Sequence, residues 1–139
     1  MRDILAQTLR SILGIFVGLM VITIIAEGIE FLIVTSINGS VTTDVEAYFK
    51  IRNYTPVLAA KFLYNTFAAM AGGYLAALIA RRAMIWHGGI LAAVQAAGLV
   101  YGMTSPELAH TTPFWVWVGL LLTMPPVILF GAWLRKRKE

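Results

Sequence analysis

The chain has no cysteine, which removes disulfides, thiolate metal sites and a cysteine nucleophile from consideration together. It is also poor in charge. Asp, Glu, Lys and Arg make up 13% of 139 residues against 59% apolar, a balance too greasy for a water-soluble domain of this size. Glycine-rich phosphate loops, serine-hydrolase elbows and zinc-protease signatures are missing as well, so no catalytic residue, cofactor or resident metal is expected. With lipid as the solvent, a helix needs roughly 20 mostly apolar residues to cross about 30 Å of hydrocarbon. The sequence has material for four crossings and little else, so the expected fold is all-α: a single integral membrane domain, residues 1–139, built as a transmembrane four-helix bundle.

The spans fall at about 11–35, 57–80, 84–103 and 114–134. The first apolar run continues well beyond the roughly 7–15 residues of a signal-peptide core, so retention of span one is expected rather than cleavage after Ala26. Span two opens with Thr55 and Pro56, a cap followed by proline where its missing N–H costs nothing. The one sizeable loop, 38–54, contains Thr43 with Glu46 three residues on, in the form of a capping box. A short helix carrying Val45, Tyr48, Phe49 and Arg52 is expected there, lying at the outer membrane surface between spans one and two.

The net charge of +4 need not imply a nucleic-acid partner, because the positions of the cations explain it. Arg2, Arg10, Arg81, Arg82, Arg135, Lys136, Arg137 and Lys138 fall on one side, and Lys50, Arg52 and Lys61 on the other. Cytoplasmic flanks retain positive charge, which predicts a multi-pass protein of the inner membrane with both termini cytoplasmic. Trp115, Trp117 and Trp133 stand where aromatic belts anchor a span.

Few residues inside the spans have chemistry to offer. Glu27 and Glu30 are three apart and share a helical face with Thr23; Glu30 falls near the outer boundary and Glu27 one turn inside it. Lys61 lies about 7.5 Å into span two, close to the depth of Glu27, which makes a pair across the helices the leading expectation. The bland alternative is that all three side chains snorkel to water. A working site would place Glu27, Glu30, Lys61, Asn65 and Gln95 in one intramembrane polar column, whereas amides such as Asn65 and Gln95 more commonly join helices. His87 and His110 fall on opposite sides of the membrane and cannot share a metal, though His110 and Glu107 stand near the two glutamates as an outer cation site.

Small residues mark close helix contact: Gly14 and Gly18 on span one, Gly72 and Gly73 among alanines on span two, Gly88 and Gly89 on span three. Span three, slim and weakly hydrophobic, is expected at the centre of the bundle. Glu27 is nine residues from Gly18, about 180° around the helix, so a glycine face turned inward sends the glutamates outward. A homo-oligomer, or another membrane protein, would resolve that conflict. Pro125 and Pro126 free the Leu121 and Leu122 carbonyls in mid-span and predict a kink, with Thr123 near enough to help satisfy them.

With Glu27-Gly28 near the end of span one, GGYLAALIARR closing span two and HTTPFWVWV leading into span four, the chain resembles small uncharacterised bacterial four-span membrane proteins. The resemblance covers nearly the whole chain and implies topology and a bacterial cytoplasmic membrane; it brings no activity with it. Where that group often has a histidine after the Glu-Gly pair, this chain has Phe31 nearby. The expected role is a non-enzymatic scaffold or interaction protein whose partners are the lipid bilayer and other membrane chains. The alternatives are a small transporter or channel using Glu27 with Lys61, Asn65 and Gln95, and, more remotely, a lipid-directed enzyme using carboxylates as acid and base.

Overall fold

A computed structural model describes residues 1–139. It contains five α-helices and no strand: α1 (Arg2–Asn38), α2 (Val45–Arg52), α3 (Thr55–Ala80), α4 (Met84–Thr104) and α5 (Phe114–Arg137). A 3-10 turn, Ala109–Thr111, precedes α5. Four of these helices, all but α2, are long and apolar enough to cross a membrane, and they form an all-α four-helix bundle.

Helix boundaries follow local chemistry, with small departures from expectation. The first helix begins nine residues before the expected span, and its 37 residues extend about 55 Å. It ends on Gly39, whose φ of 80° is the left-handed conformation a helix stop favours and whose N–H donates to the Thr35 carbonyl. The cap of α2 is Asp44 rather than Thr43, its carboxylate accepting from the backbone N–H of Glu46 and Ala47 at 3.0 and 3.4 Å. Thr42 in turn accepts from the Asp44 N–H, which moves the start one residue on. Likewise Thr55 is already helical and Tyr54 takes the cap position, with Pro56 in the first turn. The helix of α5 runs without interruption through Pro125 and Pro126. Thr123 donates to the Gly119 carbonyl at 2.9 Å, not to the carbonyls those prolines leave free.

The centre of the bundle is α3, not α4. It packs against α1, α4 and α5, and the reason lies in its two rows of small residues. Gly72 and Ala76 face α1: a methyl added to Gly14 would stand 2.8 Å from the Ala76 carbonyl, and one on Gly18 2.9 Å from the Gly72 carbonyl. The second row faces α5, where a Cβ on Gly73 would run into the Ile128 carbonyl and one on Gly131 into the Met70 carbonyl. Gly88 meets Ala132 of α5 closely, whereas Gly89 makes only ordinary contact with a Leu129 methyl. On α4, Ala93, Ala97 and Gly98 are exposed. Its slimness therefore reflects an uncovered face and not a central position.

These contacts put Gly14, Ala80, Gly88 and Ala132 at one end, so both chain termini emerge there; it is called here the terminal end, and the opposite end, under α2, the distal end. Trp115 and Trp133 are exposed and about 27 Å apart along α5, matching the two edges of a hydrocarbon layer. Trp117 instead turns inward over Gly102. Trp86, 76% exposed, also stands at the terminal end, where a belt residue is expected.

Candidate functional site

The buried face of α1 is one unbroken row at four-residue spacing: Gly14, Gly18, Ile22, Ala26, Glu30 and Val34. A row of this kind is the ridge that one helix lays across another. It takes Glu30 into the interface with α3, where it is 1% exposed, and leaves Glu27 and Thr23 on the outer surface of the helix. Expectation had the two glutamates together and opposite the glycines. The edge of the interface instead falls between them, so the glycine face and the buried carboxylate are parts of one seam.

Three groups converge on Glu30. Lys61 of α3 donates to Oε2, and the Tyr64 hydroxyl donates to the same oxygen at 2.7 Å. From α2, the Arg52 Nε stands 2.8 Å from Oε1. Its N–H is not aligned on an acceptor, so the guanidinium contributes by charge more than by a directed bond. Lys61 is 6% exposed and Tyr64 is also 6% exposed. Arg52 retains partial access to the surface and lies over the Phe49 ring, 5.3 Å from its centroid. A carboxylate in low dielectric strongly favours the proton unless cations and donors compensate, and here two cations and a phenol do so.

The lysine pair expected with Glu27 is thus made with Glu30, the next glutamate and one turn nearer the distal end. Asn65 is buried but turns back on its own helix, donating to the Lys61 carbonyl at 2.8 Å. Gln95 is elsewhere: its amide contacts the Met124 sulfur at 3.8 Å, about 12 Å along the axis from Glu30 toward the terminal end. The polar column does not form. Glu27, Glu30, Lys61, Asn65 and Gln95 resolve into one buried ion pair, one exposed carboxylate, one local amide and one isolated amide.

Arg52 belongs by its spacing to the short helix α2, and nothing in the sequence ties it to Glu30. Tyr64 carries one signal only, its spacing of three from Lys61, which puts both on one face of α3. Above the cluster, burial and then the Glu30 and Glu27 carboxylates raise the Tyr48 phenol above its ordinary value, Arg52 acting in the opposite sense. Tyr48 therefore remains a neutral cover at ordinary pH. No group of three His, Cys, Asp or Glu side chains gathers near His110 and Glu107, and Glu30 is engaged elsewhere. Of the five surface clefts, none is lined by Glu30, Lys61 or Tyr64.

No protein family model, curated protein or solved structure matches this chain.

Proposed function

We propose that this protein is a non-enzymatic scaffold or interaction protein of a bacterial inner membrane, with both termini cytoplasmic, working through contact with a second copy or another membrane protein. The observation that carries the reading is the closure of the ion cluster. Its charges pair with one another in buried packing, and no cleft is lined by Glu30, Lys61 or Tyr64, which supports a structural use of Lys61 and Glu30 rather than a conducting one. Features suited to association face outward: Glu27 beside Gly28 on α1, and Ala93, Ala97 and Gly98 on α4. A Cβ added at Gly28 or Gly98 would meet nothing within 4 Å from the rest of the bundle, so a partner helix has room to approach the backbone there. The cationic excess at the terminal end supports the cytoplasmic assignment.

Because the chain has no cysteine, single-cysteine crosslinking in native membranes tests the proposal cleanly. Gly28→Cys or Ala97→Cys is expected to give adducts well above those of Leu63→Cys, a lipid-facing control on α3. Equal, background crosslinking at all three positions would contradict it. The second reading, a small transporter or channel, draws on one observation, that Glu27 is exposed within a span and has no cationic partner.

A further inference from the structure

The turn between α3 and α4 is built against preference. A helix stop in the left-handed region is normally glycine, yet here Arg81 holds φ 59° and Ala83 φ 46°. The strain keeps an arginine side chain at a position where the backbone alone would favour none. Beside it opens a cleft of about 390 Å³ between the turn and the first turns of α1.

Three guanidiniums, Arg10, Arg81 and Arg82, line this cleft against one carboxylate, Asp3. None of the four takes part in an ion pair. The α1 wall is a row at helical spacing, Asp3, Ala6, Gln7 and Arg10, so the polar row of the helix start faces the protein. Its apolar residues, Ile4, Leu5, Leu9, Ile12 and Leu13, point outward and are more than half exposed. A helix in water would be arranged the other way round. Trp133 at the hydrocarbon edge is near the level of Gly14, so this outward apolar row lies in the membrane interface just beyond it, which sets the cleft at the level of the lipid headgroups.

We propose that this cleft binds the phosphate oxyanion of an anionic phospholipid in the leaflet at the terminal end, with Arg10, Arg81 and Arg82 as its ligands. Guanidiniums match phosphate with paired donors, and Ala6 and Ala80 leave the room for it. A soluble phosphate ester offers the same chemistry; the outward apolar row favours the lipid.

The test uses purified full-length protein in mixed micelles of phosphatidylglycerol and phosphatidylcholine, with retained lipid counted by native mass spectrometry. Native protein is expected to retain phosphatidylglycerol preferentially. Each of Arg10→Gln, Arg81→Gly and Arg82→Gln should reduce that preference about fivefold, the scale of one cation at a membrane surface. A tail variant, Arg137→Gln, should leave it unchanged. Arg81→Gly also relaxes the backbone, so its thermal stability should hold or rise while binding falls; arginines serving only to fix the turn would show no binding loss. Arg10→Gln reads the same cleft without touching the turn. Competition by glycerol phosphate at millimolar concentration would assign the site to soluble phosphates, and its failure to the lipid headgroup. Absence of any preference in native protein, or a loss as large in the tail variant, would overturn the proposal.

Discussion

Glu30 accepts from Lys61 and Tyr64 on one oxygen and faces Arg52 on the other, so its removal leaves Lys61 buried without an anion. Uncompensated charges of this kind cost about 3–5 kcal/mol, and Glu30→Ala is expected to lose stability on that scale in detergent unfolding titrations. Glu30→Leu combined with Lys61→Met should cost less than either change alone, because no charge is then stranded. A double mutant as unstable as the summed singles would show that the pair is not coupled. Arg52→Gln should cost least of the three, since its partly exposed side chain can turn to water. The raised Tyr48 phenol carries its own pH signature: the neutral form is favoured in the fold, so its contribution is complete below about pH 10 and is lost as pH rises through the folded value. Tyr48→Phe should remove that share of the alkaline loss, measured as melting temperature against pH. The two glutamates were visible in the sequence but their fates were not. Sixty degrees of helix separates them, and only the crossing line of α1 on α3 decides which lies inside. The row from Gly14 to Val34 at constant four-residue spacing was the signal that would have selected Glu30.

At the level of elements, α3 is held by backbone approach on two sides, which makes its glycines unequal to others in the chain. Gly73→Ala would press a methyl on the Ile128 carbonyl, and a loss of about 1–3 kcal/mol or more is expected in the same titrations. Gly98→Ala, with open space around it, should instead gain up to about 1 kcal/mol from helix propensity. Equal effects at the two positions would contradict the packing. The four spans and the surface helix could be read from the sequence because hydropathy and length are summed over many residues. Which span is central could not. The small residues of α3 and α4 are much alike in composition, and their meaning depends on whether a neighbour is present to use them. Charge and lipid sort the ends of helices more locally: the expected start of span one at Ser11 stopped at Arg10, while the helix continues to Arg2 with its apolar row outward.

For the whole molecule, both termini share an end with most of the cations, and the opposite end is closed by α2 clamped through Arg52. The interior combines small-residue contacts, an apolar core that includes Leu91, Val116, Met124 and Ile128, and a single ion cluster, while faces of α1 and α4 stay exposed. The central claim is that the intramembrane charges hold the bundle together and conduct nothing. It is tested most directly by proton and cation flux into liposomes containing native protein, Glu27→Gln or Glu30→Gln. The account predicts flux indistinguishable from protein-free liposomes in all three. A gradient-driven flux in native protein that either substitution abolishes would contradict it.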